Sequence, residues 1–173
     1  VRERKMTGYH IAQINVGRTL YPMDDPGIAD FVNQLDEINA MADAASGFVW
    51  RLQSDSGNAT DIVLTEDPQF IINMSVWENV ESLFDYVYKT AHSKVMARRR
   101  EWFERPEDAY QCLWWVPTGH IPTPQEGLDR LAILNANGPG PDAFTFKHRF
   151  PMPDGAAVAA GPLTPEKHCI GWS

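Results

Sequence analysis

Residues 73–103, NMSVWENVESLFDYVYKTAHSKVMARRREWF, change hydrophobic period partway along, and that change decides the fold. The stretch leading in, Phe70 to Trp77, alternates: Phe70, Ile72, Met74 and Val76 fall on one side, Ile71, Asn73, Ser75 and Trp77 on the other. That is the two-residue period of a strand. From Asn79 the apolar residues Val80, Leu83, Phe84, Val87, Ala91, Val95 and Trp102 share one face of a helix. The spacing predicts a helix running to about Phe103, with Thr90 as the place where it can break and Pro106 as its stop.

The rest of the chain extends the pattern in both directions. Tyr9 to Val16 (YHIAQINV) reads as a strand, with Ala12, Ile14 and Val16 on an apolar face and Tyr9, Ile11, Gln13 and Asn15 on a mixed one. Asp24-Asp25-Pro26 is a helix start, and Ile28, Phe31, Val32, Leu35, Ile38 and Ala42 give an amphipathic helix over 28–44 that Ser46-Gly47 ends. A strand follows at 48–53, then polar turn chemistry at 54–60 (SDSGNAT) and a short strand at 62–64. Tyr110 to Val116 (YQCLWWV) is the fourth main strand, and Pro122-Thr123-Pro124 introduces a helix over 125–134. The break NGPGP at 137–141 precedes a last alternating strand, AFTFKHRF, at 143–150. Residues 1–8 are expected to be a flexible N-terminus, 9–150 the folded domain, and 151–173, rich in Pro, Gly and Ala, a tail or arm. The order is βαββαβ followed by a helix and a strand, an α+β fold of ferredoxin-like type with a C-terminal extension.

Composition narrows the function classes. At 173 residues, 43% apolar and 22% charged, the chain has the length and make-up of one globular domain. No stretch approaches the roughly 20 uncharged apolar residues of a membrane span, and the charged start VRERK leads into no signal-peptide core, so a cytoplasmic location is the expectation. A net charge of −8 argues against binding a phosphate backbone. Arg98-Arg99-Arg100 spreads around a helical turn and makes no single basic patch. Cys112 and Cys169 have no CxxC spacing; Cys112, within an apolar strand, reads as a small buried hydrophobe. There is no HxH, HxxxH, P-loop, dinucleotide fingerprint or nucleophile elbow, so neither a metal nor a bound cofactor is expected.

A ferredoxin-like sheet covers one face with its helices and leaves the other open. The residues expected on the open face are Gln13, Asn15, Asn73, Ser75, Trp77 and one of Trp114 and Trp115. A face of tryptophan and amides is an interface or a ligand groove, and a homodimer enclosing cavities is the economical solution. The segments GFVWRL (47–52), NMSVWENVESLFDYVYKTAH (73–92), RRREWF (98–103), LWWVPTGHIPTPQEGLDRL (113–131) and AFTFKHRF resemble the uncharacterised DUF3291 family over roughly residues 9–150. That resemblance implies the dimeric α/β-barrel superfamily, which also holds the antibiotic biosynthesis monooxygenases.

His92 lies on the flank of the helix's apolar stripe, one turn after Tyr88 and two before Arg99, and its ordinary pKa suits a general base. Arg98 falls near the middle of the stripe, where a cation needs a carboxylate, an anionic substrate or a broken helix. Superfamily analogy gives His92 the base and Asn73, with Asn15, the oxyanion donors. Gln13, Ser75, Trp77, Tyr88, Arg99, Trp115 and the loop residue His120 complete the expected substrate site. The expected activity is oxygenation of an apolar aromatic or polyketide-like molecule without a cofactor, with cyclisation or isomerisation second. Two alternatives stand beside it: a haem-binding or haem-degrading protein with His92 as axial ligand, and a non-catalytic small-molecule binder.

Overall fold

The computed structural model describes residues 8–54, 57–58 and 65–153. Four strands, β1 (Tyr9–Arg18), β2 (Phe48–Arg51), β3 (Phe70–Trp77) and β4 (Gln111–Pro117), form one antiparallel sheet in the order β2-β3-β1-β4. Between β1 and β2 come a 3-10 turn at Pro26–Ile28, α1 (Ala29–Val32) and α2 (Leu35–Ala44). Between β3 and β4 come α3 (Val80–Lys89), α4 (His92–Ala97) and a second 3-10 turn at Arg99–Glu101; α5 (Pro124–Asn137) follows β4. The starts are capped as the sequence suggests. Asp25 Oδ1 accepts from Gly27 N at 2.7 Å, Asn79 Oδ1 from Ser82 N at 2.8 Å and Thr123 Oγ1 from Glu126 N at 3.2 Å.

Both long helices of the sequence reading are broken. The first divides around Asn33-Gln34, and the second at Thr90, whose Oγ1 bonds back to the Tyr86 carbonyl at 2.6 Å while its own carbonyl accepts from Ser93 Oγ at 2.8 Å. The break resets the helical phase. Arg98, expected on the buried stripe, ends α4 in partial exposure, pairs with Glu101 and Asp30, and lies over the Trp102 ring. Its neighbour Arg99 is the buried one, 7% exposed.

The register settles what each sheet face meets. Pairs Ile11↔Trp77, Gln13↔Ser75, Asn15↔Asn73 and Gly17↔Ile71 share one face, and Ile11↔Trp115 and Gln13↔Leu113 continue it onto β4. This face packs against Ala42 of α2, Val80, Leu83, Phe84 and Val87 of α3 and, near its end, Val95 of α4. Ala12, Ile14, Ile72, Met74, Val76, Cys112, Trp114 and Val116 form the other face, covered by Leu131 and Leu134 of α5. Gly127 lets α5 sit that close, because a Cβ there would come 2.9 Å from Ile14 Cδ1 and 3.1 Å from Met74 Sδ. The amide-bearing face is therefore the helix-covered one, not an open one. The opposite face is closed by α5, so neither face of the sheet is left open to call for a partner.

The expected strand at 143–150 is reduced to two isolated bridges, Leu113↔Phe144 and Gly140↔Ala143. A turn closed by His148 N on the Thr145 carbonyl and hydroxyl, both at 3.2 Å, stops the pairing. The short strand at 62–64, the N-terminal residues 1–7 and the tail from 154 onward lie outside the described residues.

Candidate functional site

Between the amide face and the helices is a cavity of about 110 Å³ lined by Asn15, Gly17, Phe31, Ile38, Asn39, Ile71, Asn73, His92, Val95, Met96, Arg99, Trp102 and Phe103, among others. A neighbouring pocket of about 50 Å³ shares Asn15, Ile38, Asn39, Asn73, His92 and Met96 with it. Its further walls include Gln13, Arg51, Ser75, Trp77 and Tyr86. An engineered apolar cavity of roughly 150 Å³ holds benzene, so the space suits one ring or a short chain. The haem alternative draws no support from a space of this size. Among the described residues, no three or more His, Cys, Asp and Glu gather in a metal-ligand cluster.

The polar floor of the cavity is one connected network. Gln13 Nε2 donates to Asn73 Oδ1 at 2.9 Å and to Ser75 Oγ at 3.0 Å. Asn15 Nδ2 reaches Gln13 Oε1 at 3.3 Å and Asn73 Oδ1 at 3.4 Å, and Trp77 Nε1 donates to Ser75 Oγ at 2.9 Å. Gln13 and Ser75 are buried, whereas Asn73 is exposed toward the opening. The network orients the Asn73 carbonyl inward along the floor, which leaves its Nδ2 free to donate to a ligand.

His92 forms part of the wall. Its ring Nδ1 lies 3.0 Å from the Val87 carbonyl, one of the last acceptors of α3 without a helical partner. A carbonyl only accepts, so Nδ1 carries the proton and Nε2 keeps its lone pair. Burial, and then the nearby charge of Arg99, hold the imidazole pKa below its ordinary value, against the opposing effect of the Val87 bond. The ring is neutral at neutral pH. It packs on Tyr86 at 4.9 Å between centroids, and the Tyr86 hydroxyl, its pKa raised by burial, donates to the Ile38 carbonyl at 3.0 Å.

Arg99 is the site's cation. Its Nη2 donates to the Val16 carbonyl at 2.8 Å, and its guanidinium carbon lies 4.5 Å from the Phe103 ring centre and 4.7 Å from that of Tyr110. Gly17 makes room for it, since a Cβ there would meet Phe103 at 2.6 Å and Arg99 Nη2 at 2.7 Å. Burial lowers its pKa, no carboxylate pairs with it among the described residues, and Nε is buried without any partner. Each cation–π contact returns about 0.5–2 kcal/mol. Taking an ion out of water costs several kcal/mol, and most of the guanidinium's five donors are unused. The charge is only partly compensated by the protein.

Of the residues expected in the site, Gln13, Asn15, Asn73, Ser75, Trp77, His92 and Arg99 line these two pockets. Tyr88 does not: its ring packs on Phe84 and Phe146, and the break at Thr90 puts Tyr86 beside His92 instead. Trp115 shares the amide face but lies off the cavity, donating Nε1 to the Phe150 carbonyl at 3.0 Å against Phe144. Trp114 faces α5 and donates to Glu126 at 3.1 Å. His120 is also on the α5 side, 2.8 Å from Glu126 Oε2. Sequence reading missed Asn39, Tyr86, Met96 and Arg51. A bulge between Phe48 and Trp50 shifts the β2 register, so that Arg51 pairs with Ser75 and turns toward the smaller pocket, where it holds Asp43 at 2.7 Å.

Residues 10–160 match the family described as a domain of unknown function, DUF3291. No curated protein matches the chain. Among solved structures it is similar to the NE2512 protein of unknown function from Nitrosomonas europaea, at 14% identity over 69% of this chain and 97% of that one, with a TM-score of 0.41. The family match takes in the described strands and helices, save the first residue of β1, and the described residues lining the cavity, and the chain belongs to the DUF3291 family.

Proposed function

We propose that the cavity is the active site of a small-molecule enzyme of the antibiotic biosynthesis monooxygenase type, working without a bound cofactor. The observation that carries this reading is His92: a neutral imidazole with Nδ1 held by a carbonyl and Nε2 free, in a cavity floored by amides. Nε2 removes a proton from an activated C–H of an electron-rich aromatic substrate. Asn73, with Asn15 beside it, donates to the oxygen that takes up the negative charge. The anion is its own reductant: a CH2 group plus dioxygen yields a carbonyl plus water. The same proton abstraction without dioxygen gives isomerisation or cyclisation. The size of the cavity restricts the bound part of the substrate to about one ring, so a polyketide-like remainder extends through the opening at Asn73.

The test is hydrogen–deuterium exchange at the activated carbon of single-ring phenols and cyclic 1,3-diketones in D2O, followed by NMR alongside oxygen uptake. Exchange and uptake that are both lost in His92→Ala are expected. Exchange without uptake moves the assignment to isomerase or cyclase; neither, across the panel, leaves a binding protein. The strand order with helices after β1 and β3 supports a ferredoxin-like reading, and the superfamily resemblance extends it to a homodimeric barrel. Because α5 covers the face a partner sheet would need, α5 would itself be part of such an interface. Light scattering giving the monomer mass of 19.5 kDa removes the dimer.

A further inference from the structure

The charge in the cavity is unevenly placed. Asn15, Asn73 and His92 stand where the two pockets meet, whereas Arg99 belongs to the larger one alone, among Phe31, Ile71, Val95, Trp102 and Phe103. Arg51, the other cation on these walls, is already committed to Asp43. Among the described residues, the larger pocket thus combines apolar walls, one cation with unused donors at one place and neutral hydrogen-bonding groups at another. A buried cation of this kind calls for an anionic partner from the ligand. One guanidinium matches one carboxylate, in charge and in planar shape, and among the described residues lining the cavity no second free cation favours a doubly charged phosphate.

We infer that the bound part of the ligand is a single ring or short apolar chain bearing one carboxylate, which docks on Arg99 while its body lies on Phe31, Ile71 and Val95. This rests on reading the cavity as the substrate site and narrows its substrate to acids. It places the carboxylate at Arg99 and the opposite end of the molecule toward His92 and Asn73. Gly17 is part of the device, since any side chain there displaces Arg99.

Calorimetric titration of the full chain with sodium benzoate, benzamide and inorganic phosphate, at matched ionic strength, tests the inference without requiring turnover. Benzoate is expected to bind at least about tenfold more tightly than benzamide, the scale of a charge-assisted hydrogen bond, and phosphate more weakly than benzoate. Arg99→Met should bring the benzoate-to-benzamide ratio close to one. Should that variant fail to fold, Gly17→Ala, which pushes on Arg99 Nη2, should lower the same ratio, and the wild-type ratio is decisive by itself. Equal binding of benzoate and benzamide, or a preference that survives Arg99→Met, overturns the carboxylate assignment and leaves the cavity standing as a neutral-ligand site. Phosphate binding as tight as benzoate overturns it too. No binding of any probe up to about 50 mM removes both the assignment and the cavity's role. Loss of the His92-dependent exchange chemistry, with the benzoate preference intact, sinks the enzymatic reading alone.

Discussion

On the α5 side of the sheet, Ala12, Ile14, Ile72, Met74, Val76, Cys112 and Trp114 are buried and none is charged, with the Cys112 thiol pushed up by burial to about 12. On the other side the same strands β1 and β3 carry Gln13, Asn15, Asn73 and Ser75. Both sides are roofed by helices, so covering alone does not explain the difference. A buried amide or hydroxyl has to be hydrogen-bonded to avoid a penalty of about 1–3 kcal/mol, and an apolar residue would serve the fold with less risk. The α5 side is what this sheet needs for stability. The amide side, with a neutral histidine and a cation lacking a carboxylate, has the groups that the proposed ligand site calls for.

If that contrast is right, damage to the α5 side should cost stability and leave the ligand response alone. Trp114→Ala removes a fully buried indole and its bond to Glu126. We expect a loss of about 3–5 kcal/mol in urea unfolding, with the benzoate-to-benzamide ratio unchanged in whatever folds. A changed ratio would mean the two sides are not independent.

Ser75→Ala probes the amide side, since Ser75 Oγ accepts from both Gln13 and Trp77. Removing it leaves buried donors short of an acceptor, at about 1–3 kcal/mol, and should also weaken ligand binding. A neutral outcome in both measurements would show that the floor is not held as a network.

His92 gives a smaller and pH-dependent effect. Its ring satisfies the Val87 carbonyl, so His92→Ala should cost about 1 kcal/mol, more than a boundary imidazole without that bond. The folded state holds its pKa below the ordinary 6.5. The unfolded chain therefore takes up the proton first as pH falls. Stability should drop between pH 6.5 and the lowered folded value, and be recovered above it. Thermal melts of His92→Ala should lack that part of the acid sensitivity; identical pH profiles for wild type and variant would contradict the lowered pKa of the ring.

The smallest effect belongs to His120, whose side chain is 45% exposed in its pair with Glu126. His120→Ala should change stability by no more than about 1 kcal/mol and ligand binding not at all. A loss of ligand binding would bring His120 back into the site from the α5 side.

Much of this molecule was legible because its signals are local. Strand β3 begins and ends where the alternation from Phe70 to Trp77 does, and the helical starts that Asp25, Asn79 and Thr123 cap lie at or within a few residues of those read from the sequence. The seven cavity residues named from sequence came from strand parity and from the helical flank. Helical phase carried across Thr90 puts Tyr88 beside His92 and Arg98 on the buried stripe. The break there, which the sequence offers at Thr90, puts Tyr86 beside His92 and gives Arg98 the broken-helix outcome, paired with Glu101 and Asp30. Arg51 escaped notice because a bulge reverses parity within β2, and no residue pattern in FVWR announces it.

The sequence by itself determined the four main strands, their order, the places of the helical segments between them, and that one side of β1 and β3 is apolar while the other carries amides. Period and capping depend on neighbours within a few residues. Only the tertiary structure decided what covers each side. The chain beyond β4 returns as α5 over the apolar face, and the segments after β1 and β3 close over the amides, turning an expected open face into an internal cavity. It also decided that Arg99, and not Arg98, is the buried cation. Periodicity records that a face is polar; whether water, a partner or a ligand meets that face depends on contacts between residues far apart in the chain.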